Sequence, residues 1–216
     1  MTERAPRSAT DRLLESAEIL ISERGVDTVS SRDIAMHAGH KNVSAVQYHF
    51  GDKDGLLRSM IAPHLARANI RRLELLEEVD RAGDGPGRLQ RVVEAAVVPL
   101  VEKLADPSGR RYLQLCQIML EHPVHRVWAE DVVLQPGNER CRAAMREAMA
   151  HLPTRLQHAR LAQVRTLIVG SLSAAARSIS ESDDDALLPV DELGADLIEV
   201  LVAVITAPDP LADRRG

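Results

Sequence analysis

Residues 30–50 read SSRDIAMHAGHKNVSAVQYHF and predict two short helices joined by a glycine turn. Ser30 occupies an N-cap position, because its hydroxyl can accept a hydrogen bond from the Asp33 amide while the Asp33 carboxylate reaches back. Gly39 stands where many helices end in a left-handed residue, a conformation that glycine adopts at little cost. Asn42 can then cap a second helix that continues to about residue 50. This layout is typical of a helix-turn-helix unit, whose second helix enters the major groove of DNA.

The second helix divides into an apolar and a polar face. Val43, Val46 and Phe50 recur at three- and four-residue spacing and are expected to face inward. The remaining positions carry hydrogen-bonding side chains and one methyl group, the groups that recognise base edges, and they are Asn42, Ser44, Ala45, Gln47, Tyr48 and His49. A helical hairpin with a polar outer face and no DNA-binding role explains this stretch almost equally well.

The wider segment resembles the DNA-binding domain of TetR-family transcriptional regulators. The matching elements, in the family's order, are a hydroxyl residue before Arg32-Asp33-Ile34-Ala35, then Ala38-Gly39, Tyr48-His49-Phe50, Phe50-Gly51-Asp52-Lys53 and Leu56-Leu57. With the preceding helix, which Thr10 can cap, the resemblance covers roughly Thr10 to Met60. The sequence departs from the common pattern in a turn one residue longer and in Gln47, which stands where a tyrosine is frequent.

The resemblance implies an all-α fold with two domains. We expect a three-helix helix-turn-helix DNA-binding domain at residues 10–55 and a helical-bundle domain for ligand binding and dimerisation at residues 56–216, after a polar, disordered tail at residues 1–9. Tyr48, His49 and Lys53 should contact phosphates, by resemblance. The full set of expected DNA-binding residues is Ser30, Ser31, Arg32, Lys41, Asn42, Ser44, Ala45, Gln47, Tyr48, His49 and Lys53.

The same resemblance implies a regulator that represses transcription and leaves a near-palindromic double-stranded DNA operator when a small molecule binds. The net charge of −5 argues against a general nucleic-acid binder, so DNA binding would depend on a focused basic patch. The chain has only two cysteines and no apolar run of the ~20 residues that a membrane span needs. We therefore expect a cytoplasmic protein with no membrane partner and no cofactor.

The second part of the chain predicts long apolar helices. Residues 88–104 are almost wholly apolar after Ala95, and Pro99 should bend their helix because it removes a backbone hydrogen bond. The residues expected near a flexible, mostly hydrophobic effector pocket are Val97, Leu100, Leu104, Tyr112, Cys116, Met119, Trp128, Met145 and Met149. Such a pocket suits an apolar or amphipathic ligand, although a plain packed core explains the same residues almost as well.

The last two helices predict a homodimer. Residues 154–180 carry one face of small residues, and residues 197–205 are apolar on all sides except at Glu199, so a second copy of the chain would cover their outer faces. The expected interface residues are Leu167, Gly170, Ser171, Ala174, Ser178, Ile198, Leu201, Val202 and Ile205. Burial of the last helix within a single chain is the alternative.

Three other functions are alternatives to DNA binding by a ligand-responsive repressor, namely an enzyme, a metal-responsive regulator and a helical interaction protein. No glycine-rich phosphate loop or nucleophile elbow is present in the sequence, so we do not expect an enzyme. His122 and His125 have the spacing of a metal pair on a helix, which leaves a metal-responsive regulator open, but Pro123 between them argues for a helix end and we expect no metal site. A helical interaction protein without DNA binding would explain the apolar helices but not the pattern from Ser30 to Lys53.

Overall fold

Every regular element in the described part of the chain is a helix, as the sequence predicts. The structure is a computed structural model, and it describes residues 8–40, 42, 44–121, 135–181 and 188–210. In chain order the elements are α1 (Ala9–Arg24), α2 (Ser31–His37), α3 (Ala45–Phe50), α4 (Lys53–Ala82), α5 (Arg88–Val101), a 3-10 turn (Glu102–Ala105), α6 (Pro107–Glu121), α7 (Pro136–Ala148), α8 (Thr154–Glu181) and α9 (Val190–Thr206). The chain forms two compact units, the first ending at His64 and the second beginning at Leu65.

α1 begins before Thr10, the cap that the sequence suggested. Its N-cap is Ser8, whose hydroxyl accepts a hydrogen bond from the Asp11 amide at 3.0 Å, while the Asp11 carboxylate accepts one from the Ser8 amide at 3.1 Å. This reciprocal pair is a capping box with the same Ser-x-x-Asp spacing as the one predicted at Ser30. The expected tail of residues 1–9 is therefore too long by its last two residues, and residues 1–7 lie outside the described part of the chain.

The first unit packs its short helices around an aliphatic core. Leu13 and Ile21 of α1, Ile34 of α2, Val46 of α3 and Leu56 of α4 are each at most 1 % exposed. Burying a side chain of this size contributes about 1.5–3 kcal/mol relative to leaving it in water. The three-helix arrangement predicted for this region is therefore held by one apolar residue or more from every helix.

α4 begins after Asp52, whose side chain caps the first turn of the helix. The Asp52 carboxylate accepts a hydrogen bond from the Gly55 amide at 2.7 Å. The helix then continues through Pro63 to Ala82. The division between the two units falls inside α4, later than the predicted domain boundary after residue 55.

In the second unit, α5 packs against α7, α8 and α9 and supplies much of the core. Its buried residues are Val92, Val93, Ala95, Ala96, Val97 and Pro99. Because Pro99 has no backbone N–H to donate, it weakens the helical ladder at this point. The α-helix ends two residues later and tightens into the 3-10 turn.

α9 ends against a buried arginine from α8. Arg160, which is 5 % exposed, donates hydrogen bonds from Nη1 to the Ile205 carbonyl at 3.2 Å, to the Ala207 carbonyl, and from Nη2 to the Pro208 carbonyl at 2.8 Å. The last carbonyls of a helix have no partner within it and carry its negative dipole, so a guanidinium stabilises them. Arg160 therefore fixes the end of α9 to α8.

The two long faces of α9 differ in exposure. Its inner face, which includes Leu201 and Ile205, is fully buried within the chain, whereas Val200 on the other side is 40 % exposed. The described part of the chain thus leaves the outer side of α9 uncovered, which differs from the alternative of burying the whole helix within a single chain. None of the helices in the described ranges has the length and apolarity that crossing a membrane requires.

Replacing Arg160 with methionine should destabilise the second unit, because three carbonyl groups lose a charged donor that a thioether cannot replace. We expect a decrease of about 2–3 kcal/mol in the free energy of unfolding. Thermal unfolding followed by circular dichroism measures it, with Arg155→Met, an exposed arginine of the same helix, as control. Equal melting temperatures for the two variants would contradict the assigned role.

Candidate nucleic-acid interface and cavity

The start of α2 has the predicted capping box. The Ser30 hydroxyl accepts a hydrogen bond from the Asp33 amide at 3.2 Å, and the Asp33 carboxylate accepts one from the Ser30 amide at 2.9 Å. The hydrogen bonds from Ser30, more than any charge, lower the pKa of Asp33. Val29 and Ile34, which have the spacing of a hydrophobic staple at this helix end, are both buried.

The turn after α2 is a Schellman motif centred on Gly39. Gly39 has a φ of +77°, its amide donates to the Met36 carbonyl at 3.0 Å, and the His40 amide donates to the Ala35 carbonyl at 2.9 Å. These two bonds satisfy carbonyls that the helix end would otherwise leave open. A residue with a Cβ atom would be strained at this φ, so the prediction for Gly39 is confirmed.

α3 begins later than predicted and has a different cap. The helix starts at Ala45 with Ser44 as N-cap, rather than at Val43 after Asn42. The Asn42 side-chain oxygen instead accepts hydrogen bonds from the Ser44 amide at 3.0 Å and from the Ser44 hydroxyl at 2.7 Å. Asn42, which is exposed, therefore orders the turn before α3 through its side-chain oxygen. Lys41 and Val43 lie outside the described residues.

The exposed face of α3 contains three of the eleven side chains predicted to bind DNA. Val46 is completely buried and anchors the helix, whereas Gln47, Tyr48 and His49 are exposed. Tyr48 is 86 % exposed, the most exposed large apolar side chain among the described residues. An aromatic ring in water is unfavourable, so its position is consistent with a surface that a partner covers.

Two further contacts hold this face in place. The His49 Nδ1 atom lies 3.4 Å from the Thr10 hydroxyl of α1. The Lys53 ammonium donates a hydrogen bond to the Val26 carbonyl, in the loop after α1. Neither contact could be predicted from the sequence, because both join residues far apart in the chain and no local pattern marks them.

The other predicted DNA-binding residues surround α3 with differing exposure. Ser30, Arg32, Asn42 and Ser44 are exposed, and Ser31, Ala45 and Lys53 are half-buried. Except for Lys41, the predicted set thus lies within one compact unit, on α2, on α3, in the turn before α3 and at the start of α4.

The second unit contains a cavity of about 300 Å³ between α4, α5, α6, α7 and α8. Five of the nine residues predicted for an effector pocket line it, namely Leu100, Tyr112, Cys116, Met119 and Met145. Val97, Leu104 and Met149 are instead buried in the surrounding core. Trp128 lies outside the described residues.

Polar groups missed by the sequence analysis also line the cavity. Arg72, Asn138, Arg142, His158 and Arg165 border it together with mostly apolar side chains. Burial raises the pKa of the Cys116 thiol to about 12 and that of Cys141 to about 11, and it raises the pKa of Tyr112 well above its ordinary value. All three groups are therefore uncharged at neutral pH.

In the described ranges, no group of three histidine, cysteine or acidic side chains is arranged to hold a metal ion. His122 and His125, the pair considered for a metal-responsive regulator, lie outside those ranges.

Comparison with known proteins agrees with this geometry. Residues 13–60 match the family model described as bacterial regulatory proteins, tetR family. Among solved structures, the chain is similar to AmtR of Mycobacterium smegmatis, with 18 % identity, a TM-score of 0.57 and coverage of 99 % of this chain and 93 % of that one. It is also similar to the TetR-family transcriptional regulator PfmR from Thermus thermophilus, with 17 % identity, a TM-score of 0.56 and coverage of 94 % and 99 %. At these identities the likeness shows the fold. No curated protein matches the chain significantly.

Replacing Ser30 with alanine should raise the pKa of Asp33 towards its ordinary value of 3.8, because the hydrogen bonds that stabilise the carboxylate are weakened. A lowered pKa contributes stability above the unfolded pKa, and this contribution is lost as the pH falls through the folded pKa. The free energy of unfolding of the variant should therefore depend less on pH between the folded and the unfolded pKa of Asp33. NMR titration of the Asp33 carboxyl carbon measures the change, with Ser22→Ala as control, since the Ser22 hydroxyl bonds only the Ile19 carbonyl. An unchanged Asp33 titration would contradict this account of the cap.

Proposed function

Because this chain is a DNA-binding transcriptional regulator of the TetR family, we propose that it is a homodimeric repressor that leaves a near-palindromic operator when a small molecule binds. The observation that carries this proposal is the exposed polar face of α3. Val46, on the opposite face of α3, is completely buried and holds the helix in place. The preceding helix, α2, is capped at both ends. A fixed helix with an outward polar face can enter the major groove without reorganisation.

Gln47 is the side chain that we propose recognises a base. It is exposed in the middle of α3, and its carboxamide offers both a donor and an acceptor, which match the N7 and N6 groups of adenine. The Asn42 side-chain oxygen accepts hydrogen bonds from the Ser44 amide and hydroxyl, so these two residues have fewer donors and acceptors available for hydrogen bonds to bases. We therefore assign the larger part of the base specificity to Gln47.

Tyr48 and Lys53 are proposed to bind the DNA backbone. The Tyr48 hydroxyl can donate to a phosphate from its exposed position on α3. The Lys53 ammonium has three donors, and its hydrogen bond to the Val26 carbonyl uses one of them. The remaining donors and the positive charge are available for a phosphate, while the Val26 contact fixes where the charge stands.

The cavity of the second unit supports the proposal of a small effector. It is lined mainly by apolar side chains and has the volume of a small-molecule site. Release from DNA requires that the effector bind the two conformations of the regulator unequally, typically by about 1–3 kcal/mol of coupling free energy. As a regulator of gene expression, the protein would act in the cytoplasm.

The outer faces of α8 and α9 are proposed as the dimer interface. Ala174 is exposed, and Leu167, Gly170, Ser171, Ser178 and Val202 are half-buried. Small side chains at such positions allow helices of two subunits to approach closely. Ile198, Leu201 and Ile205 are buried within their own subunit, so they would hold α9 in position and not contact the second subunit. We add the exposed Val200 and Ala203 of α9 to the proposed surface.

DNA binding is tested with duplexes selected by the wild-type protein from a random library. Gln47→Ala should relax the preference at one base position per half-site, because one bidentate contact worth about 1–3 kcal/mol is lost. Lys53→Ala should weaken binding to all sequences alike and decrease the slope of log affinity against log salt by about 1.

Glu15→Ala on α1 provides a substitution away from α3 as a control. Unchanged affinity and preference for both Gln47→Ala and Lys53→Ala would contradict the assignment of α3 as the recognition helix. Failure of the wild-type protein to enrich any sequence would contradict sequence-specific DNA binding.

The dimer is tested by placing a charge in the proposed interface. Ala203→Glu should produce monomers, because burying an unpaired carboxylate against a second subunit costs several kcal/mol. Light scattering after size-exclusion chromatography at micromolar concentration measures the mass. Ala143→Glu, at an exposed alanine of α7, serves as the matched control. A dimer of unchanged stability in Ala203→Glu would place the interface elsewhere.

A further inference from the structure

Arg72 on α4 is a buried cation without a carboxylate partner among the residues that the structure describes. It is 3 % exposed. Its Nη2 atom donates a hydrogen bond to the Ala96 carbonyl at 3.3 Å, while its Nε atom, also buried, has no hydrogen-bond partner. Burying a charge without a counter-ion is strongly unfavourable, and native proteins usually pair such a group. Arg72 therefore lacks an ionic partner within the described chain.

The side chains around Arg72 do not supply a negative charge. Cys116, Cys141 and Tyr112 line the same cavity, and burial keeps all three protonated at neutral pH. The described residues that line the cavity include Arg142, His158 and Arg165 but no aspartate or glutamate. Among the described residues, the cavity lining thus combines an apolar wall with the arginines Arg72, Arg142 and Arg165 and no acidic side chain.

A helix end adds to this positive potential. The stem of Arg72 passes beside Gly137 in the first turn of α7, where a Cβ atom on Gly137 would lie 3.2 Å from the Arg72 Cγ and Cδ atoms. The N-terminus of a helix carries a partial positive charge. α7 has 13 residues, so its dipole is fully formed at this end. A cation next to a positive helix end is unfavourable, and an anion bound there would be stabilised by both.

We propose that the cavity binds an amphipathic monocarboxylate, with its carboxylate paired to Arg72 and its apolar chain against the aliphatic wall. This inference deepens and rests on the proposed function, since it names the chemical class of the effector. A planar guanidinium can donate two parallel hydrogen bonds to a carboxylate, and the unpartnered Nε of Arg72 together with an Nη atom forms such a pair of donors.

The volume limits the size of this ligand. At the packing density of a protein interior, about 0.74, a cavity of about 300 Å³ holds roughly 220 Å³ of atoms, which corresponds to a straight-chain acid of about ten carbons. Leucine, methionine and isoleucine side chains make up much of the wall. Flexible side chains of this kind can adjust to chains slightly shorter or longer.

Isothermal titration calorimetry with decanoate and decanol at neutral pH tests the proposal. The two probes share a chain and differ in the charged head, so the ratio of their affinities isolates the contribution of the carboxylate. The wild-type protein should bind decanoate about tenfold to a hundredfold more tightly than decanol. Arg72→Met should reduce this ratio to near one, whereas Arg81→Met, an exposed arginine of the same helix, should leave it unchanged.

Stability of the unliganded variants separates ligand binding from a structural role. Because Arg72 is buried without an acidic partner among the described residues, Arg72→Met should melt at the same temperature as the wild type or higher. Equal affinities of wild-type protein for the two probes would overturn the proposal, as would an unchanged ratio in Arg72→Met. Absence of measurable binding for octanoate, decanoate and dodecanoate would also overturn it. Loss of the ratio in Arg165→Met but not in Arg72→Met would place the carboxylate at another arginine and likewise contradict it.

A gel-shift assay on the selected DNA distinguishes this inference from the proposed function. Arg72-dependent decanoate binding that leaves DNA affinity unchanged would support the ligand class and contradict release by that ligand. Sequence-specific DNA binding by a protein with no carboxylate preference would support the regulator and overturn the inference about Arg72.

Discussion

The left-handed turn at Gly39 is the constraint on which the DNA-binding unit depends. α3 has only six residues, far fewer than the ~12–15 that an isolated helix needs to persist in water. The position of α3 is therefore set by the turn that precedes it and by the core against which it packs. The Schellman bonds after α2 fix the direction of the chain, and the buried Val46 fixes which face of α3 points outward. The exposure of Gln47 and Tyr48 follows from these two constraints.

Local signals in the sequence predicted the helix ends of this unit well, because a cap depends on residues within one turn. The capping box at Ser30 and the glycine turn at Gly39 form as expected. The cap predicted at Thr10 is wrong, because Ser8 forms a capping box with Asp11, at the same Ser-x-x-Asp spacing as the box at Ser30. Asn42 was misassigned because its side chain binds Ser44 two residues on, and an asparagine before a helix can adopt either arrangement.

Longer-range features could not be predicted in this way. Hydrophobic periodicity indicates that a side chain faces inward, but not whether it meets a cavity or another side chain, so Leu100 borders the cavity while Met149 lies in the packed core. Arg72 and Arg160 were missed because arginine is rarely buried. Arg160 is explained by its hydrogen bonds to the carbonyls at the end of α9. Arg72 borders a cavity that has no acidic side chain among the described residues.

A structure of the protein bound to a duplex that it selects would test the central claim most directly, namely that α3 recognises DNA. We predict α3 in the major groove, with the Gln47 carboxamide within hydrogen-bonding distance of a base and Tyr48 against the backbone. DNA held by another surface, with Gln47 and Tyr48 still exposed to solvent, would contradict the account.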